Sequence, residues 1–549
     1  MTVAEVLRGK ARDCWWRLRK VSSAFQPELR GFYSSERIHD LALYSQTTPW
    51  WWALFVCVVS PFPCLVILIL IDCAPLASPK EGSRANCLFW MRDFLTIALM
   101  TRVILEQFRV AVPGLNMTSR QILVLSMISS AAAVVFMIGM SSVVGFPLPF
   151  SLVIGINAWF VVLVACFWFS YGRILKQDLL LFKDLMRSIV VLVCQVLLTF
   201  VYPTYLYGFT RIQPRYQKFY VMLLTIIKIV ARNLICYCLG DKYDLMPQIM
   251  IFNVDVFNAL YVSSSMENSQ SIATMLQMIM LDAVLGLISI SDIVHFMTTI
   301  SFLRRKIPPG HTLESASFIQ LALLIVGEDP KARERIVLRR PSVKRTTRGP
   351  SMLNFRSLES KSKNRQILPV DPPQLLIPTA EPLIKPTSLE LKAPGKSLKD
   401  IFSHKERQWL LERSARVLFT TEFVILVEYT EVVVPFIYSI YTAAMFFLPN
   451  SAYYPQLKSI DHKMLTNNLG MIVVYGFVEL LSLVVIGCVI QRMLRISVLH
   501  LLSFVLDRSW RMVQSNLFLW ICYTIQNSLE HNGADFSFSF AWLSNSTAA

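Results

Sequence analysis

The residues of this sequence best placed to do chemistry are charged side chains inside apolar runs. Lys228 and Arg232 sit four apart within the stretch 219–239, a spacing that puts both on one face of a helix. Asp282, Asp292 and His295 lie in 272–303; Glu422, Glu428 and Glu431 lie in 418–448, and Glu479 in the stretch that follows. Arg102, Glu106 and Arg109 share a face of 88–110. Charge is costly in lipid, so such residues turn toward a bundle interior or a wet cavity. Acids and bases gathered there can pass an ion or hold a polar solute. The competing reading pairs them one to one as structural salt bridges, or leaves those near span ends at the interface. One expectation is specific. Lys228 and Arg232 pair with acids from 272–303 or 418–448, because an unpaired cation at the bilayer centre costs at least about 2.5 kcal/mol.

Compact catalytic motifs are missing. No glycine-rich loop followed by Lys and Ser or Thr is there to cradle a phosphate, and no paired-His zinc signature occurs. Nor is there a Gly-x-Ser-x-Gly elbow, and the seven His are scattered. The sequence predicts no catalytic residue, no resident metal and no cofactor, although membrane-embedded active sites often lack compact motifs. Pro61, Pro63, Pro203 and Pro435 interrupt apolar stretches. They act either as simple kinks or as breaks whose freed carbonyls bind solute, as in transporters.

These residues must be positioned by membrane helices. The chain is 54% apolar and 16% charged, with mean hydropathy +0.50, whereas soluble domains carry about 25% charged residues. A spanning helix needs about 20 apolar residues. The clearest stretches are 50–71, 122–146, 151–171, 188–209, 219–239 and 469–490, with weaker ones at 88–110, 248–262, 272–303 and 418–448. The expected fold is an all-α polytopic transmembrane bundle of about ten spans. The stretch 494–529 carries Asp507, Arg508 and Arg511 and reads as an amphipathic surface helix.

Basic residues set the expected orientation. Arg173, Lys176, Lys183 and Arg187 place the loop 173–187 on the cytosolic side, together with the N-terminus; Arg211, Arg215 and Lys218 dissent. Residues 304–408 hold 21 Lys and Arg against 10 Asp and Glu, so +11 of the net +17 sits there, with 12 of the 27 prolines. That composition predicts a mostly disordered cytosolic insertion, broken by an apolar island at 318–326. Its charge does not mark a nucleic-acid binder. The organisation expected is therefore a basic segment 1–49, a main bundle 50–303, the insertion 304–408, C-terminal helices 409–530 and a tail 531–549.

Two further expectations concern single sites. Ser342 follows Arg339, Arg340 and Pro341, a pattern that suits a basophilic protein kinase. The surrounding cluster would lie on anionic inner-leaflet lipid until phosphate loosens it. Cys73 and Cys87 bracket the short loop between the first two spans, on the expected outer side. They form either a disulfide or a pair of interfacial thiols.

The run Ser35-Glu36-Arg37-Ile38-His39-Asp40 leads into Thr48-Pro49-Trp50-Trp51-Trp52, and Phe252-Asn253-Val254-Asp255-Val256-Phe257-Asn258-Ala259-Leu260-Tyr261 follows later. With the long apolar C-terminal part, these segments resemble a family of uncharacterised multi-pass membrane proteins from oomycetes. The resemblance implies a eukaryotic membrane protein and supplies no substrate or site residue. The expected location is the plasma membrane or an endomembrane. The leading functional expectation is passage of a small solute or ion through a polar cavity lined by the buried charges. A non-transporting regulator or scaffold with a phosphorylatable loop is the alternative. A lipid-modifying enzyme using Asp282 and Asp292 is the weaker one.

Overall fold

The computed structural model describes residues 26–240, 242–268, 272–309, 311–314, 316–329, 398–458, 460–525 and 529–533. Among these the regular structure is helical throughout, with no strand. Nine helices among the described residues are long and apolar enough to cross a membrane, so the chain is an all-α multi-pass membrane protein. The first of them, Trp50–Asp72, is interrupted at Pro61 into Trp50–Val59 and Phe62–Asp72. Trp50, Trp51 and Trp52 are exposed at its start, as in the aromatic belt of a membrane interface. Helix Cys87–Ala111 forms as expected, but Arg92, Asp93, Arg102, Glu106 and Arg109 keep it out of the apolar nine.

The organising element is helix His404–Phe447, 44 residues long and buried along most of its length. At 1.5 Å per residue it runs about 66 Å, roughly twice the hydrocarbon thickness. Ser403 and Glu406 close its N-terminus as a capping box. From Val417 to Leu426 it is buried on every side, the pattern of a helix enclosed by protein. Helices His462–Leu494, Ile272–Arg304 and Val256–Asn268 pack round it. We call it the central helix.

The apolar island of the insertion is a short helix, Phe318–Glu328, capped by Ser317 and Gln320. Two expectations need correction. The central helix starts within the insertion's last residues. The stretch 494–529 is not one surface helix. It divides at Ser509 into Val498–Arg508 and Trp510–Ile525. The charges Asp507, Arg508 and Arg511 are exposed at this junction, whereas the uncharged residues beyond it, including Met512, Val513, Leu517 and Trp520, are buried.

Before the first span, residues 26–34 lie as a strap along the central helix. Thr420 Oγ1 donates to the Glu28 carbonyl at 3.1 Å, and the Tyr33 amide donates to the Ala415 carbonyl at 3.2 Å. Gly31 is needed for the approach, because a Cβ there would stand 2.2 Å from the Phe419 ring. Gly31→Val should therefore unseat the strap at a cost of about 1–3 kcal/mol. Hydrogen exchange by mass spectrometry should show faster exchange over 26–37, and unchanged protection would refute the role given to Gly31.

Candidate functional site

Five membrane helices and the strap bring the buried charges together. Lys228 and Arg232 share one face of Pro214–Leu239. Lys228 Nζ lies 2.7 Å from Glu431 Oε1 and 3.4 Å from Asp255 Oδ1. Arg232 Nε donates to Asp255 Oδ2 at 3.1 Å, its NH2 group also reaches that carboxylate, and its guanidinium lies over the Phe423 ring. The expected partner helix is thus found for Lys228 and not for Arg232. Asp255, fully buried, ends the π-helical turn Ile251–Asp255, and π turns cluster at functional sites.

Beside these pairs is a cavity of about 300 Å³ lined by Glu28, Lys228, Arg232, Asp282, Glu428 and Glu431 among others. Glu428 and Glu431 are three apart on the central helix, hence on one side of it. Ser482 Oγ donates to Glu428 Oε2 at 3.0 Å. Gly286 gives Glu428 its room, since a Cβ there would stand 3.3 Å from Oε1. Glu479, buried on His462–Leu494, joins the group: its carboxylate and those of Glu428 and Glu431 offer oxygens all within 4.8 Å of one another. Pro435 lies one turn beyond Glu431 and has no N–H to give that residue's carbonyl.

Glu28 comes from outside the membrane helices. It sits in the turn Pro27–Leu29, is buried, and lines the cavity. Burial pushes its carboxyl above the ordinary carboxylate value, against the pull of Arg232. The strap that carries it is anchored by Glu422, which accepts from Tyr33, from Arg37 at 2.8 Å and from Gln248 at 2.8 Å. The Ser34 amide adds a bond to Asp244 at 3.0 Å.

Not every expected residue belongs to this site. Asp292 is buried on the same helix as Asp282 but does not line the cavity, and His295 is exposed. Glu106 pairs with Arg109 at 3.5 Å and Arg511 at 3.8 Å, away from the cavity. Cys73 and Cys87 are free, exposed thiols rather than a disulfide. The two helices they flank are joined instead by Asp72 and Arg92, an ion pair sealed by Tyr441 and Tyr454. Ser342 lies outside the described residues. The sequence reading missed Asp255, inside a weak span, and Glu28, in a segment read only as a basic N-terminus. No protein family, curated protein or solved structure matches this chain.

Proposed function

We propose that the chain passes a small ion, or a solute coupled to one, through the cavity beside the central helix. The observation that carries this reading is the position of the cavity: it is bounded by membrane helices and walled by Lys228, Asp282, Glu428 and Glu431. Polar walls of this kind are kept within a membrane where they serve a pathway. The closed clusters at Glu422 and Asp72 would suit a non-transporting scaffold equally well, so the cavity is what favours passage. The test is flux in vesicles reconstituted with the full chain. A panel of protons, sodium, potassium, calcium and manganese is imposed as gradients against dyes inside. At least one ion should move faster than in protein-free vesicles, and Glu428→Gln should cut that rate at least about tenfold. No movement of any ion in the panel would overturn the reading.

A further inference from the structure

Carboxylates outnumber bases around this cavity. Arg232 is matched by Asp255 and Lys228 by Glu431. Among the described residues Glu428, Glu479, Asp282 and Glu28 have no basic group within 4.0 Å. In low dielectric such an excess stays neutral by holding protons, or is matched by a bound cation.

Geometry favours a metal cation. The oxygens of Glu428, Glu431 and Glu479, within 4.8 Å of one another, can be bridged by one ion about 2.3–2.6 Å from each. Glu28 is a separate sign of a ligand. It is donated by the strap, is 7% exposed, and lines the cavity. Its carboxyl receives no hydrogen bond or ion pair from another side chain among the described residues. Among the described residues no thiol or imidazole lines the cavity, so its ligands suit magnesium, calcium or manganese rather than zinc or copper.

We propose that the cavity binds a divalent, oxygen-seeking metal cation at Glu428, Glu431 and Glu479, with Glu28 closing the site from the strap. This names the substrate class of the passage proposed above and rests on that reading for its role, though not for binding itself. Lys228 does not block the ion. Its Nζ stands between Glu431 and Asp255, so it can release Glu431 and stay paired with Asp255. The exchange balances in charge: the ion enters with two positive charges, and two protons leave protonated carboxyl groups for solvent.

The test is calorimetric titration of the full chain in lipid nanodiscs with calcium, manganese and magnesium, at mildly acid and mildly alkaline pH. At least one ion should bind a single saturable site, more tightly at the higher pH. Heats in buffers of different ionisation enthalpy should show proton release. Glu479→Gln, nearly isosteric, should weaken binding at least about tenfold, and Glu428→Gln serves as a second variant if the first folds poorly. Glu106→Gln, outside the cavity, should leave affinity unchanged. Absence of saturable binding for all three ions overturns the proposal, as does binding that ignores both cavity variants. Metal binding without flux would sink the passage reading and leave the site standing. Proton flux without metal binding would do the reverse.

Discussion

Replacing Arg92 with Met should destabilise the protein by about 3–5 kcal/mol, the cost of leaving a buried charge without its partner. Arg92 and Asp72 have side chains 6% and 0% exposed, so water cannot replace what is lost. The Arg92 guanidinium donates to Asp72 and, at 2.8 Å, to the Tyr454 hydroxyl, while Tyr441 and Tyr454 both donate to Asp72. Asn450 then holds the chain after Asp72 through the carbonyls of Asp72 and Ala74, at 2.8 and 2.7 Å. One cluster therefore ties the end of the first span to Cys87–Ala111 and to the loop after the central helix. Neutralising both ions, as Asp72→Asn with Arg92→Met, should recover at least half of the loss, because two tyrosines still have an acceptor. Reversible unfolding in detergent measures both variants. A single-variant loss under about 1 kcal/mol would place this pair among the weak ones.

Glu422→Ala should have an effect of similar size, with a different signature. The substitution strips Tyr33, Arg37 and Gln248 of a common acceptor. It leaves Arg37, whose side chain is 11% exposed, facing a void, again at about 3–5 kcal/mol. Because Tyr33 and Arg37 belong to the strap and the helix that follows it, the loss should be local before it is global. Brief protease treatment should cut the variant within 26–34 while the intact protein resists. Glu422→Gln, which keeps an acceptor oxygen, should fall between the two. Equal resistance of all three proteins would mean that the strap is held elsewhere.

Most of the span positions were legible because their signal is local. A run of about 20 apolar residues is sufficient to identify a membrane helix, and 50–71, 122–146 and 151–171 reappear as helices with the same starts to within a few residues. The charges inside such runs were legible for the same reason, and Lys228, Asp282, Glu428 and Glu431 do meet at one cavity. Their partners were harder to see. Lys228 and Glu431 are 203 residues apart, and Arg37 and Glu422 are 385 apart, so no periodicity connects them. Asp255 was hidden because its stretch is polar enough to count as a weak span. Protein surrounds that helix almost completely, which removes the need for a lipid-facing apolar surface. Glu28 was hidden because a short segment with no run of apolar residues carries no sign of where it docks. Burial of Met512, Val513, Leu517 and Trp520 was obscured by the charges just before them, which gather at a helix junction rather than along a face.

The central helix also sets the order in which the protein can be completed at the ribosome. Lys228 enters the membrane 203 residues before Glu431 exists, an interval of roughly 10–40 s at ordinary elongation rates. During that time the acids of the final cluster already made are Glu28, Asp255 and Asp282. The early helices must therefore stay apart, or be held by the insertion machinery, until the helix that fills their middle arrives. A nascent chain stopped before residue 404 carries the buried lysine and arginine without Glu428, Glu431 or Glu479, the kind of exposed polar defect by which quality control recognises unfinished membrane proteins.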